Sequence, residues 1–295
     1  MKQTIFRGIA TALVTPMTPH GVDFDALGRF IDFQLESGIN ALVAVGTTGE
    51  SATLSPQEQR SVIDFTVRRV NGKVPVIAGT GTNNTSHVLE NTRAACDVGA
   101  DAVLVVTPYY NKATQKGLIA HYETIADTSA KPVILYNVPS RTGCNLLPAT
   151  VAKLAEHENI AAVKEACGNM AQVVELFAKC GDKIDVYSGE DGLILPTIAL
   201  GGKGCISVVS NVAPLETLAL TDKFFAGDVA GAAAIQCKLH DLIKALFSEV
   251  NPIPVKAAVS AMGYGEEHLR LPLTPMEDNT RAVLFEEMRK LGIKV

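Results

Sequence analysis

The chain alternates short apolar runs with longer segments in which apolar residues recur at helical spacing. Eight runs each open with a polar residue and close at turn residues, as buried β-strands do. They are continuously apolar rather than alternating, which is typical of parallel strands covered on both faces. The runs begin at Arg7, Asn40, Lys73, Asp101, Lys131, Asn159, Lys183 and Lys203.

The segments between the runs predict amphipathic helices. Residues 23–37 place their large apolar side chains on one face, and Pro56–Val70 offers Ser55 as an N-cap with Pro56 at the first helical position. Eight strand and helix units fit a closed (β/α)8 TIM barrel better than a doubly wound open sheet, which usually has fewer strands and a Gly-rich first turn. We therefore predict an α/β barrel.

The strand pattern stops after Thr221. Three helical stretches follow, at roughly 229–248, 252–262 and 275–291. We predict a catalytic barrel over residues 1–224 and a C-terminal helical extension of about three helices over 225–295.

Composition excludes several classes of protein. The 295 residues are 47% hydrophobic and 19% charged, enough to bury a large core, and the net charge of −5 argues against a nucleic-acid or anionic-membrane surface. No segment has the roughly 20 uninterrupted apolar residues of a membrane helix. We expect no signal peptide, because Arg7 interrupts the first apolar run.

Cysteines and histidines predict neither disulfides nor a metal. The six cysteines show no CxxC spacing and lie in or beside apolar segments, as reduced thiols of cytosolic proteins do. The six histidines are scattered and form no HExxH motif. We expect a cytoplasmic protein that holds no metal ion.

Lys164 closes the sixth run, "NIAAVKEACG", where a turn residue is expected. Chemistry in such barrels belongs to the C-terminal ends of the strands, and the other lysines beside the runs precede their strands. Burial disfavours the ammonium form of a lysine, and a neutral amine attacks carbonyl carbons to form Schiff bases. We predict this chemistry at Lys164, with a salt bridge to Glu165 as the alternative.

Other strand ends bring polar groups to the same predicted rim. The fifth run ends in Tyr136, and Arg141 follows it in "YNVPSRTG". A phenol can exchange protons with a forming imine, and a guanidinium can hold a carboxylate through two parallel hydrogen bonds. The second run continues into "GTTGE", where glycines permit a tight turn that could direct Thr47, Thr48 and backbone N–H groups at a small carboxylate. Together these groups predict an active site.

Five motifs carry a family resemblance. "GTTGES", "TPYYNK", "YNVPSRTG", "VKEACG" and "NPIPVK" follow one another along essentially the whole chain. In this order and spacing the sequence resembles the 4-hydroxy-tetrahydrodipicolinate synthases, also called dihydrodipicolinate synthases. The resemblance implies a lyase without a cofactor that condenses pyruvate with L-aspartate 4-semialdehyde in lysine and diaminopimelate biosynthesis. It also implies a homotetramer built as a dimer of dimers.

The resemblance implies a role for each matching residue. Lys164 would carry the covalent pyruvate imine, and Tyr136 would shuttle protons through Thr48 to Tyr110 of the partner subunit. Arg141 would hold the carboxylate of the semialdehyde at the mouth. The positions that match the family's substrate-binding residues are Thr47, Thr48, Arg141, Gly189 and Ile206.

One departure from the family pattern concerns feedback inhibition by lysine. The effector positions correspond to Ser51, Ala52, Asn83 and Tyr109, but His87 replaces the acidic residue that would pair with the ligand's ammonium group. Pro56 and Gln59 stand at the usual histidine positions nearby. A buried ammonium group without its carboxylate is unfavourable. We therefore predict weak or absent inhibition by lysine at a degenerate site.

Two rival functions remain open. An N-acetylneuraminate lyase or a related pyruvate-dependent aldolase would share the lysine, the tyrosine and the glycine-threonine turn, but the sialic-acid branch lacks an arginine at the position of Arg141. A noncatalytic barrel that binds a keto acid would not need an activated amine beside a proton shuttle.

Overall fold

Eight parallel strands close into a barrel in this computed structural model, which describes Lys2 and residues 4–295. The hydrogen-bonded order runs around the barrel in chain order, and the last strand pairs with the first. The predicted barrel is confirmed, and each strand lies within a predicted apolar run. The strands are β1 (Gly8–Ala12), β2 (Ala41–Ala44), β3 (Val76–Gly79), β4 (Ala102–Val106), β5 (Val133–Asn137), β6 (Ile160–Glu165), β7 (Asp185–Ser188) and β8 (Gly204–Ser207).

Helices connect the strands. The two helices predicted in detail are present, and Ser55 caps the second through a capping box with Glu58. The helices of the barrel are α1 (Phe24–Glu36), α2 (Pro56–Val70), α3 (Thr85–Asp97), α4 (Gln115–Thr128), α5 (Pro139–Thr142), α6 (Pro148–Leu154), α7 (Met170–Cys180), α8 (Ile194–Ala199) and α9 (Pro214–Phe225). Two short 3₁₀ turns, Asp191–Leu193 and Val209–Asn211, follow β7 and β8.

The core has two layers because alternate residues of each strand face opposite ways. Inward residues such as Ile134 and Ala162 pack inside the barrel, whereas outward residues such as Leu135 and Val163 pack against the surrounding helices. A short antiparallel hairpin, Met17–Thr18 with Gly21–Val22, follows β1 and was not predicted from the sequence.

The pairing of β5 with β6 contains an irregularity. Val133 pairs with Ile160 and the next residue, Ile134, pairs with Ala162, so β6 contains one extra residue, Ala161. Beyond this bulge the register is regular and sets Tyr136 opposite Lys164. The strand ends that carry the predicted chemistry are therefore direct neighbours in the sheet.

The C-terminal region contains four helices where about three were expected. The 229–248 stretch divides at Leu239 into α10 (Val229–Lys238) and α11 (His240–Leu246), and the other two stretches form α12 (Ile253–Ala261) and α13 (Asp278–Lys290). The division into domains at residue 224 stays a prediction. The first seven residues of α12 are nevertheless buried, so this region packs closely into the molecule.

Candidate active site

A cavity of about 390 Å³ opens at the C-terminal ends of the barrel strands. Its walls combine the inner faces of the strands with the turns that follow them and with part of α11. The residues that the sequence predicted for the site and that line this cavity are Thr47, Thr48, Tyr136, Arg141, Lys164 and Gly189. The chemically active residues of different strands thus meet at one mouth, as the barrel rule requires.

Lys164 projects into this cavity from the end of β6. Its side chain is only 6% exposed, and its Nζ lies 4.2 Å from the centroid of the Tyr136 ring. The aromatic face attracts the cationic form of the amine, and the phenol lies beside any group bound to the nitrogen. The amine therefore lies away from bulk solvent and at the same end of the barrel as the phenol.

Glu165 does not serve as a partner for that amine. It is the next residue of β6 and faces the other way, toward the outer layer. There its buried carboxylate accepts hydrogen bonds from Asn137 Nδ2 at 3.0 Å and from the backbone N–H of Cys167 at 2.9 Å. Burial raises the pKa of Glu165. The geometry therefore supports a structural, hydrogen-bonded role for Glu165 rather than a salt bridge to Lys164.

The threonine turn, residues 46–50, follows β2 and presents Thr47 and Thr48 to the cavity. Val45, just before the turn, and Glu50, its last residue, have φ angles of 58° and 57°, in the left-handed region, and turn the chain sharply. The side chain of Glu50 forms a fully buried ion pair with Lys256 of α12. The motif "NPIPVK" thus supplies the cation that pairs with the end of this turn.

Thr48 and Arg141 both contact Asn251, the first residue of that motif. The hydroxyl of Thr48 accepts a hydrogen bond from Asn251 Nδ2 at 3.1 Å, and Arg141 Nη2 donates to the Asn251 carbonyl at 3.3 Å. Arg141 lies on the one-turn helix α5 and is exposed at the mouth. Sequence reasoning noted the motif but missed Asn251 as a site residue, because more than 200 positions separate it from Thr48.

Gly189 and Ile206 differ in their relation to the cavity. A Cβ atom added to Gly189 would lie 2.6 Å from Ala166 Cβ and 3.1 Å from Lys164 Cε, so the glycine leaves the room that the lysine side chain occupies. Ile206 is buried in the inner core of the barrel and is not among the residues that line the cavity.

Two further carboxylates lie beside the cavity. Asp191 is fully buried and accepts hydrogen bonds from the Ser207 hydroxyl and from two backbone N–H groups, while burial raises its pKa. Glu190 is half-buried, and burial followed by the charge of Asp191 raises its pKa. Neither was assigned a role from the sequence.

Tyr110 does not line the cavity of its own chain. Its side chain is 89% exposed and its backbone φ is 71°, in the left-handed region. Its predicted contribution to the site of a partner subunit stays a prediction.

A second cavity of about 330 Å³ adjoins the first and shares Thr47, Arg141 and Asn251 with it. Three of the predicted effector positions, Ser51, Ala52 and Tyr109, line this cavity, whereas Asn83 and His87 do not. Gln59, at a position where the family usually has histidine, donates to the Ser51 carbonyl at 2.8 Å. The effector assignment stays a prediction.

In the part of the chain that the structure describes, no group of three or more His, Cys, Asp or Glu side chains is arranged to hold a metal ion. None of the described helices combines the length and apolar character that a membrane span needs.

Comparison with known proteins decides the family. Residues 5–290 match the model of the dihydrodipicolinate synthetase family. The chain belongs to this family. A 4-hydroxy-tetrahydrodipicolinate synthase from Alkaliphilus oremlandii is 52% identical over 98% of this chain and 100% of its own length.

Solved structures of dihydrodipicolinate synthases superpose over nearly the whole chain. The structure from Aquifex aeolicus gives a TM-score of 0.96 at 45% identity and covers 98% of this chain and 99% of its own. The chloride-inhibited enzyme from Acinetobacter baumannii, complexed with pyruvate, gives 0.96 at 44% identity over 98% of this chain and 100% of its own.

Proposed function

We propose that this chain condenses pyruvate with L-aspartate 4-semialdehyde through an imine on Lys164, the reaction of 4-hydroxy-tetrahydrodipicolinate synthases. The observation that carries the proposal is the buried Lys164 amine beside the Tyr136 ring, in a cavity that also contains Thr47, Thr48 and Arg141. The relative from Alkaliphilus oremlandii is named for this activity, and it aligns with almost the full length of the chain, as the family model does.

Imine formation needs an amine that attacks the keto carbon and an acid that protonates its oxygen. The Lys164 nitrogen attacks the keto carbon of pyruvate, and the C–O bond breaks after the oxygen has taken up two protons. One proton comes from the nitrogen and the other from the Tyr136 phenol, so water leaves and a protonated imine remains. The phenolate then accepts a proton from the pyruvate methyl group, which gives the enamine and restores the phenol.

The enamine carbon attacks the aldehyde carbon of the semialdehyde, whose oxygen takes a proton from Tyr136 and becomes a hydroxyl. The amino group of the semialdehyde then attacks the imine carbon and passes one proton to the phenolate and a second to the lysine nitrogen. Lys164 leaves as the free amine, and a C=N bond remains in the ring. Pyruvate and semialdehyde thus give the six-membered ring and one water, with no external oxidant or reductant. No cofactor is required, because the imine itself withdraws the electrons.

Arg141 and the threonine turn supply the charge and hydrogen bonds that two carboxylated substrates need. The exposed guanidinium at the mouth suits the carboxylate of the second substrate to arrive, the semialdehyde. Thr47 and Thr48, which line the same cavity as Lys164, suit the carboxylate of pyruvate.

Borohydride reduction tests the covalent step. Pyruvate followed by borohydride should leave a permanent mass increase on the peptide that carries Lys164, and Lys164→Arg should prevent it. An unmodified peptide from an enzyme that binds pyruvate would favour the noncatalytic barrel.

Substrate choice is tested with Arg141→Ala. Its activity on pyruvate and aspartate semialdehyde should fall about 10- to 100-fold, because hydrogen bonds to charged groups contribute about 1.5–3 kcal/mol, while imine trapping at Lys164 continues. Cleavage of N-acetylneuraminate by the wild-type enzyme would instead assign the chain to the sialic-acid branch.

The assembly and compartment belong to the proposal as well. The exposed phenol of Tyr110 fits a residue that completes the site of a partner subunit, in a homotetramer built as a dimer of dimers. Sedimentation analysis should find no active monomer, and Tyr110→Phe should lower kcat without dissociating the assembly. The six unpaired cysteines fit the reducing cytoplasm.

Inhibition by lysine should be weak or absent. His87 stands where the family has an acidic residue, and its side chain is exposed rather than part of the second cavity. Initial rates with millimolar lysine should stay close to the uninhibited rate, and His87→Glu should increase the inhibition. Half-inhibition of the wild-type enzyme at millimolar lysine would contradict this prediction.

A further inference from the structure

We propose that Glu190 binds the ammonium group of the semialdehyde and accepts one of its protons, and so selects an amino aldehyde as the second substrate. The inference rests on the proposed function, because it concerns the second substrate of that reaction. Glu190 lies two residues beyond the end of β7, next to Gly189, and lines the catalytic cavity.

The semialdehyde brings a positive charge into a cavity that is rich in basic groups. At neutral pH its α-amino group is an ammonium ion. Among the described residues that line the cavity, the basic side chains are Arg141, Lys164 and Lys244, and the carboxylates are Glu190 and Asp191. A carboxylate within hydrogen-bonding distance stabilises a bound ammonium group, whereas nearby cations destabilise it. We therefore expect one of the two carboxylates to contact the ammonium group.

Asp191 is already occupied by contacts within the fold. It is 2% exposed, and its oxygens accept hydrogen bonds from the Ser207 hydroxyl and from the backbone N–H groups of Val208 and Val209. These donors lie at the end of β8 and in the turn that follows it. A ligand could bind this carboxylate only by displacing them, so Asp191 stabilises the fold.

Glu190 has a fixed backbone and an unused carboxylate. Its backbone N–H donates to the Ser188 hydroxyl at 3.2 Å, and its carbonyl accepts from the same hydroxyl at 2.8 Å and from the N–H of Leu193 at 3.0 Å. Within the described chain the carboxylate itself takes part in no hydrogen bond or ion pair. Its side chain is half-buried, so a ligand in the cavity can reach it.

Two glycines place this carboxylate between the ends of β6 and β7. A Cβ atom added to Gly168, in the turn after β6, would lie 3.3 Å from Glu190 Oε1 and 3.8 Å from Oε2. Gly168 thus leaves the space into which the carboxylate extends. The preceding Gly189 lies against the side chain of Lys164, where an added Cβ would lie 3.1 Å from Cε. The carboxylate is therefore near the strand end that carries the imine.

An ammonium group must lose a proton before it can attack the imine carbon. The Glu190 carboxylate accepts this proton, becomes a neutral carboxyl group and later releases the proton to water. The neutral amine then closes the ring as described above. Burial, followed by the charge of Asp191, raises the pKa of Glu190. A carboxylate with a higher pKa is a stronger base, so the surroundings of Glu190 favour this transfer.

Succinic semialdehyde tests the recognition of the ammonium group. It carries the same aldehyde and carboxylate as aspartate semialdehyde but no amino group, and it should compete for the enzyme that holds the pyruvate imine. Glu190→Gln keeps the shape of the side chain and removes its charge. In this variant kcat/KM for aspartate semialdehyde should fall about 10- to 100-fold, because a charge-assisted hydrogen bond is lost. The inhibition constant of succinic semialdehyde should change less than about threefold.

Two further variants separate recognition of the ammonium group from recognition of the carboxylate. Arg141→Ala should weaken the binding of both semialdehydes, because each carries the carboxylate that Arg141 holds. Glu190→Asp restores the negative charge on a shorter side chain, so it should retain more activity on aspartate semialdehyde than Glu190→Gln does.

Glu216→Gln is the matched control for the loss of one negative charge. Glu216 is a half-buried residue in the first turn of α9 and lines neither of the two cavities. Its variant should keep kcat/KM for aspartate semialdehyde and the inhibition constant of succinic semialdehyde unchanged. A loss as large as that of Glu190→Gln would attribute the effect to net charge and overturn the proposal.

Unchanged kcat/KM in Glu190→Gln, or equal losses for the two semialdehydes, would also overturn the proposal while the condensation itself stands. A wild-type enzyme that traps no pyruvate imine and consumes no aspartate semialdehyde would instead overturn the proposed function. Borohydride trapping on each variant separates the two cases, because Lys164 is retained in all of them.

Discussion

Single residues decide how much space and charge the site contains. Gly189 leaves room for the Lys164 side chain, and the buried Glu165 is held on the far side of β6 by Asn137. Neither residue needs to touch a substrate to matter, because each controls where the reactive amine lies.

Gly189→Ala should reduce catalysis by about 10- to 100-fold, since displacement of a reacting group by about 1 Å can cost 100-fold. The added methyl group would lie 3.1 Å from Lys164 Cε and 2.6 Å from Ala166 Cβ. The rate of borohydride trapping with pyruvate measures the effect on the amine. Gly192→Ala is the control, because a Cβ atom there meets nothing within 4 Å; equal losses in both variants would refute the steric explanation.

The buried His121 should make the folded protein less stable in acid. Its side chain is buried on α4, Nδ1 lies 2.9 Å from the Thr85 hydroxyl, and burial lowers its pKa from 6.5 to about 4. The unfolded chain therefore binds the proton more readily, so stability is lost as pH falls from 6.5 toward 4. The slope of the unfolding free energy should approach about 1.4 kcal/mol per pH unit in this window.

Urea denaturation between pH 7 and pH 4 measures this slope. His121→Gln, which cannot take up the proton, should flatten the slope contributed by this residue. An unchanged slope in the variant would assign the acid sensitivity to other groups.

At the scale of elements, the pair β5 and β6 carries the reaction. The rung of Tyr136 and Lys164 faces the cavity, and the next rung, Asn137 and Glu165, faces outward and is joined by side-chain hydrogen bonds. The outer rung therefore fixes the register of the inner one.

Asn137→Ala should lower the free energy of unfolding by about 2–6 kcal/mol. The change leaves the buried Glu165 carboxylate without one donor and the Leu146 N–H without its acceptor, and each such loss costs about 1–3 kcal/mol. Chemical denaturation checks the value. Asn145→Ala, at the half-buried edge of the same network, should cost clearly less.

The whole molecule depends on contacts between the C-terminal region and the barrel. Lys256 of α12 pairs with Glu50, and Arg270 binds Glu58 of α2. The hydrogen bond from Arg270 lowers the pKa of Glu58 to about 2. Glu50 is the last residue of the threonine turn, and Glu58 lies in the helix that follows it. The shape of the active site therefore depends on residues far along the chain.

Lys256→Met should destabilise the protein by about 3–5 kcal/mol, because it leaves the Glu50 carboxylate buried without its cation. The double variant Glu50→Gln/Lys256→Met should recover part of that loss. Urea midpoints of the three proteins, measured at pH 7, decide the point; a double variant less stable than Lys256→Met would contradict the ion-pair explanation.

The sequence predicted the repeated strand and helix units and the features that depend on neighbouring residues. The eight strands follow from continuous apolar runs, and the position of Lys164 at a strand end follows from the barrel rule. The helix break at Leu239 was not predicted, because the helical spacing of apolar residues continues across it. The contacts of Asn251 and Lys256 were not predicted for a different reason. Their partners lie about 200 residues away along the chain, and no local pattern indicates such contacts.

The extra residue in β6 has a geometric consequence. Ile160 faces the helices, and strict alternation from that point would turn Lys164 outward as well, since the two lie an even number of positions apart. Ala161 adds one step and reverses the parity of everything that follows, so Val163 meets the helices and the lysine looks inward. The extra residue Ala161 has no reactive group of its own, yet it determines that the Lys164 side chain faces the inside of the barrel.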